Sequence, residues 1–469
     1  MRFSYFIGSA TVALVGMALY VGFERTGQSQ TASSALAARA GAAAGTPSSS
    51  VQAGSGPVVA AGTPHAGASS PKVALPEQLS FNANGSVLLL RRDGRRLPFL
   101  PGILQPRDEW QRHRYAGLEW SPDGSKLLAG RTPGFGVQAL VVTDEAGKVV
   151  STVDPRAFDA RWSPDGTRIA YIHVNPEEYP RGPGFDHVLF VASSDGRLRT
   201  RIAAHVREFS WSPDGTRLAY PACARTCGPS RAQGEHRLVI ADATGRRAPH
   251  LVPLPTGAGA PGRTIREVQW SPDGSLIAFV SRDDAGAHLN VIHPDGSLLR
   301  RVADAPGMML GSVKWSPDGS LIAFVSDDDV GWHLNVVHPD GSSLRRVAEG
   351  DAPGGPYEWS PHGKRLAIVS AAEPRGADVS VVNADGTDLH RIARCRCDLR
   401  RRGPNEGFIP SVSWSLDGTR IAYISGRGNT VSTIRPNGTG ATVVAIQAAR
   451  GVAGYWYPDG PLWRPTRTH

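Results

Sequence analysis

Cysteine is scarce, with four in 469 residues. They form two close pairs, Cys223/Cys227 and Cys395/Cys397, which excludes a disulfide-dense mini-scaffold. Methionine is equally rare at four, against eleven Trp, a balance foreign to helical bundles. The sequence has no Gly-x-Ser-x-Gly elbow, Walker loop, HExxH or Asp-x-Asp-x-Asp-Gly loop. The local signatures of α/β-hydrolases, P-loop NTPases, zincins and EF-hands are therefore missing. What abounds is Gly (54) and Pro (37), without a collagen period. That composition implies many turns, and a hydrophobic content of 40 % excludes wholesale disorder.

The N-terminus differs from everything after it. Residues 3–23 contain no charge over 21 positions, enough to cross a hydrocarbon layer of roughly 30 Å as a helix. A cleaved signal normally has an apolar region of about 7–15 residues, so residues 1–27 are expected to be an uncleaved signal-anchor, with cleavage and secretion as the alternative. Arg2 precedes the run, while Glu24 and Arg25 cancel behind it. This bias places the body of the protein outside the cytoplasm, periplasmic or extracellular. Residues 28–75 are rich in Ala, Gly, Ser and Pro, lack aromatics, and are charged only at Arg39 and Lys72. They read as a flexible tether with a reach of about 40 Å.

From residue 76 to 469 one pattern recurs. Trp-Ser-Pro-Asp-Gly begins at Trp120, Trp162, Trp211, Trp270 and Trp315, with variants at Trp359, Trp414 and Trp456, at a mean spacing of 48 residues. Ser, Pro, Asp and Gly in that order favour a type I turn. Apolar strands flank it, and a second hairpin with Asp-Gly in its turn follows. Each unit is thus four short antiparallel strands, A to D, the signature of a β-propeller blade. Seven complete units run from about 115 to 447. Residues 454–465 read as an A–B hairpin and 86–100 as a C–D hairpin. Joining them gives an eighth blade closed by both ends of the chain; seven blades is the alternative.

The motif Trp-Ser-Pro-Asp-Gly-x-x-[Ile/Leu]-Ala-[Phe/Tyr], followed by Pro-Asp-Gly-x-x-x-Arg-Arg, resembles the WD-like repeats of the TolB propeller superfamily over about residues 120–460. The resemblance implies an extracytoplasmic interaction protein. Related propellers also precede the hydrolase domain of prolyl peptidases. This chain departs from the family's namesake, whose propeller follows an α/β domain rather than an apolar run and tether. The motif maps to turns and packing, so it carries over no catalytic residue.

A–B and C–D turns share one face, where they are short and uniform. The long insertions, 173–187, 221–236, 249–266 and 394–410, all fall in B–C or D–A connections on the other face. Variable loops on a rigid scaffold are the usual carriers of recognition, so that face is the expected binding face for a protein or envelope polymer. Arg391, Arg394, Arg396, Arg400, Arg401 and Arg402 cluster there and suit carboxylates or phosphates; nucleic acid is not expected. Glu119, Arg161, Lys314 and Glu358 directly precede motif Trp residues, and Glu208 and Glu267 stand three before. On the innermost strand these six would edge a central channel, either binding a small polar ligand or tying blades together. Replacing its scaffold role, a propeller hydrolase or lyase acting on a sugar or peptide would use Glu208 and Glu267 as its first paired carboxylates. The cysteines are disulfide candidates, as Cys223–Cys227 and the tighter Cys395–Cys397; a four-Cys zinc site is disfavoured because its halves lie blades apart. No metal or cofactor is expected.

Overall fold

The computed structural model describes residues 75–465, apart from 84–85, 94–95, 101–113, 133–137, 175–186, 224–235, 255–263, 284, 306–309, 329–330, 351–355, 373–375, 396–410, 426–429 and 447–461. The apolar run and the tether up to residue 74 lie outside the described residues, as do Cys227 and Cys397. Among the described residues every regular element is a β-strand, as expected of an all-β chain. Six sheets have four antiparallel strands and one has seven. In a representative sheet, strands A to D are Thr264–Trp270, Ile277–Asp283, Gly286–Ile292 and Arg300–Ala305, paired in chain order. The seven-stranded sheet fuses two such units through one strand, Val149–Trp162. Its start pairs with Gln138–Thr143 and its end with Arg168–Val174.

The motif explains both the turn and the packing of neighbouring sheets. Ser121 Oγ donates to Asp123 Oδ1 at 2.7 Å, and that oxygen accepts the Ser125 N–H at 3.0 Å. The same bonds recur at Asp214, Asp318 and Asp417, and they hold these carboxyls below the usual range. Gly closes the turn at φ +66° in Gly215 and +72° in Gly274, backbone that glycine alone adopts without strain. A Cβ on Gly274 would lie 3.4 Å from Pro213 of the preceding motif. Each Gly thus sits on the preceding sheet's Pro.

Each described motif Trp is buried or nearly so, and in five of them the indole reaches back to the previous repeat. Trp162 Nε1 donates to Glu119 O, Trp211 to Arg161 O, Trp315 to Gln269 O, Trp359 to Lys314 O and Trp414 to Glu358 O, at 3.2–3.3 Å. In every case the acceptor is the residue before the previous motif Trp. Two residues before each Trp stands an apolar one, and Leu118, Val268, Val313 and Tyr357 are buried. Apolar clusters therefore straddle sheet boundaries. Leu238 and Ile240 of one sheet pack with Val268, Trp270 and Phe279 of the next, each such burial stabilising by about 1.5–3 kcal/mol.

The two chain ends share a sheet, with a division of strands different from the expected one. Strands Leu79–Ala83, Ser86–Leu90 and Arg96–Leu100 come from the N-terminal side, and among the described residues Leu462–Trp463 is its only C-terminal strand. The expected two-and-two split misses Leu79–Ala83, which joins its neighbour across Asn84-Gly85, a strong two-residue hairpin signal. It also puts strand A's Trp at 456, which lies outside the described residues. Trp463 instead occupies the motif position: its Nε1 donates to Ser413 O at 3.1 Å. Leu79 pairs with it, and Gly124 lies against the Pro465 backbone carbonyl, where the other motif glycines meet a proline ring. Trp120 Nε1 then donates to Ser80 Oγ, which donates to Leu462 O, at 2.9 and 3.2 Å.

Candidate functional site

The polar row beside the motif Trp residues follows from a bulge in strand A. Pairing slips between Ala116/Glu119, Phe158/Arg161, Arg266/Gln269 and Gly311/Lys314. The extra residues put Asp159, Glu267 and Ser312 in left-handed backbone, φ +46° to +55°, an uncommon conformation for residues other than glycine. The row is mostly engaged with the next sheet. Glu119 Oε2 accepts the Trp162 N–H and Glu358 Oε2 the Trp414 N–H, each at 3.2 Å. Glu267 faces the N–H groups of Ser312 and Val313. Arg161 pairs with Asp159 at 3.3 Å, and Lys314 Nζ donates to Tyr357 O at 2.7 Å. Glu119, Glu267, Lys314 and Glu358 thus contact the next repeat, whereas Arg161 pairs within its own strand.

Burial sets the charge of this row. It pushes the carboxyls of Glu119 and Glu358 up to about 7, against the pull of Arg161 and Lys314 respectively. Asp159 and Glu267 rise for the same reason, and Lys314 falls. Glu208 rises to about 8, through burial and then the Glu267 charge. Its Oε1 is buried and has no hydrogen-bond partner among the described residues. The Glu267 charge therefore acts on Glu208, and burial raises both carboxyls.

On the loop face, the arginine cluster is only partly described. Arg394 makes a two-pronged contact with Asp378, Nε to Oδ1 at 2.8 Å and Nη2 to Oδ2 at 3.1 Å, and Arg391 approaches the same carboxylate at 3.5 Å. Arg396, Arg400, Arg401 and Arg402 lie outside the described residues. So do the side chains of Cys223 and Cys395, and with them both disulfide pairings. Among the described residues no group of three His, Cys, Asp or Glu could hold a metal.

Strand periodicity gave no sign of the histidine–carboxylate contacts that brace this face. Buried His288 bridges Asp283 at 2.9 Å and Asp304 at 3.0 Å. Buried His333 lies 2.7 Å from Asp328, and buried Asp154 holds both His173 and Arg199. One signal was available: His-Leu-Asn-Val recurs at 288–291 and 333–336. The loop acids Asp283 and Asp328 therefore fold back on their own strands.

The TolB beta propeller domain, PD40, matches residues 204–409. Residues 204–409 are TolB-like propeller sequence. Among solved structures it is similar to an oligogalacturonate lyase in complex with manganese, at 17 % identity over 74 % of this chain and 94 % of that one, TM-score 0.51. It is also similar to dipeptidyl peptidase 4 of Porphyromonas gingivalis, at 13 % identity over 80 % of this chain and 60 % of that one, TM-score 0.50. TolB from Acinetobacter baumannii matches at 16 % identity over 76 % and 83 % of the two chains, TM-score 0.37. At these identities likeness concerns the fold alone. No protein of curated function matches the sequence.

Proposed function

We propose that this TolB-like chain is an eight-bladed, membrane-tethered propeller outside the cytoplasm, binding a protein or envelope polymer through its B–C/D–A face without doing chemistry. The carrying observation is the contrast between the two faces. The motif turns are short, uniform and packed on one another, whereas the strands ending at Val174, Cys223, Leu251 and Cys395 are each followed by a connection of a dozen or more residues, in B–C or D–A positions. The eight-blade count is supported by the sheet that draws strands from both ends and by the two units fused in the seven-stranded sheet. The anchor and the extracytoplasmic side rest on the apolar run and on Arg2. Photo-crosslinking groups placed in turn at Ala232, Ala258 and Arg400, in the native envelope, test the reading. One partner captured from these sites but not from Ser275 is expected; capture from Ser275 alone overturns it.

A second reading is supported by Glu208, whose protonated carboxyl beside Glu267 has the character of a general acid. In that case Glu208→Gln abolishes turnover of a sugar or peptide substrate. In a scaffold the same change leaves partner capture intact.

A further inference from the structure

Nine large apolar side chains stand out into solvent among the described residues. All nine lie on the face made by the A–B and C–D turns. Six sit where strand D begins: Leu198, Leu251, Leu298, Leu344, Leu389 and Val443. Val149 and Val150 open the long strand at the equivalent point, and Leu416 takes the motif proline's place in Trp-Ser-Leu-Asp-Gly. Leu198 is 76 % exposed and Leu298 69 %, so these are not the margins of core residues. Leu298 itself has φ +52°, and the residues just before Leu344 and Leu389 have φ +53° and +54°. The left-handed step recurs beside the exposed leucine in three sheets, where a bulky side chain is least at ease.

Cations accompany the leucines. Arg197, Arg246, Arg247, Arg300 and Arg345 are exposed at the same turns, Arg197 paired with Asp195 at 3.6 Å. Arg246 and Arg300 make no ion pair among the described residues, and Arg345 donates only to the backbone carbonyls of Ser343 and Asp385. The ring nitrogens of His390 lie 2.8 and 2.9 Å from Asp388 O and Pro436 O, contacts that raise its imidazole above the usual range, and the Asp388 carboxylate is 3.3 Å away. The turn aspartates Asp295 and Asp340 are exposed on the same face, each accepting a backbone N–H two residues on.

We propose that this face rests on an anionic phospholipid surface, with the leucines entering the acyl boundary and the arginines meeting headgroup phosphates. Exposed apolar anchors interleaved with Arg are what an interfacial surface needs. A soluble polyanion would take the arginines and leave the leucines wet. A second copy would set one basic rim against another. The arrangement leaves the loop face pointing away from the bilayer, and it stands on observations separate from those behind the partner-binding reading.

The full chain is mixed with vesicles of phosphatidylcholine alone or with added phosphatidylglycerol, and phenylglyoxal modification of Arg246, Arg300 and Arg345 is followed by peptide mass spectrometry. Any capture through residues 3–23 occurs on both compositions, so their difference reads the face. Modification about tenfold slower on the anionic vesicles is expected, with protection lost when Leu198, Leu298, Leu344 and Leu389 are each changed to Asp. A cooperative thermal unfolding transition retained by these variants separates lost docking from lost fold. Equal modification rates on the two vesicles overturn the proposal. Protection that needs no anionic lipid and rises with protein concentration overturns it in favour of a second copy. Protection by a soluble polyanion that survives the Leu→Asp changes overturns it in favour of an acidic polymer.

Discussion

Trp270 and Trp359 are equally buried, at 6 % exposure, yet only one has a bonded indole. Trp359 Nε1 donates to Lys314 O, whereas Trp270 Nε1 has no acceptor and its sheet is tied instead by its backbone N–H to Ser210 Oγ. Replacing each with Phe removes similar area but only one hydrogen bond. Trp359→Phe is therefore expected to cost about 1–2 kcal/mol more than Trp270→Phe in urea unfolding. Equal losses would mean that the indole ties contribute shape alone. The role of Trp as a packing wedge is legible from its eightfold recurrence and the apolar residue two before it. The backbone acceptor is not legible, because any residue supplies a carbonyl.

At the scale of the turn and strand, legibility follows the range of the interaction. Ser-Pro-Asp-Gly contains its own hydrogen bonds, so the A–B turns can be read from five consecutive residues. The strand A bulge cannot, since the N–H groups of Ser312 and Val313 are drawn by Glu267 on another sheet. The same limit misplaced the last motif: Trp456 has the better local match, but Trp463 has the Ser413 contact. Left-handed backbone at Leu298 gives a direct test of local strain. Leu298→Asn, which suits that conformation, is expected to stabilise by about 0.5–1 kcal/mol in thermal or urea unfolding. A loss of stability would show that the leucine makes compensating contacts.

At the scale of the whole molecule, two sets of carboxyls act in opposite directions with pH. The turn aspartates have lowered values, so their stabilisation is present near neutrality and is lost as acid protonates them. Glu119, Glu208 and Glu358 have raised values, about 7, 8 and 7. Folding therefore holds protons that the unfolded chain releases, and stability falls as pH rises from about 4.5 to about 8. Glu208→Gln is expected to flatten the alkaline part of that fall, read as melting temperature against pH; an unchanged slope would place the titration elsewhere. The closing strand carries a larger effect. Trp463→Ala removes a core side chain and the tie to Ser413 together, at a cost of about 3–5 kcal/mol by urea unfolding. A cost near that of an exposed site would mean the terminal sheet contributes little.

Because Leu79 lies opposite Trp463, nothing in the architecture privileges the present start and finish over any other break between strands. A gene recut within 224–235, with a short bridge from 465 to 75, is expected to yield a circular permutant with the same sheets. In the natural order, by contrast, the first three strands wait unpartnered on one side until the last motif has been synthesised. Residence in a half-made, edge-exposed state is thus built into every round of biosynthesis.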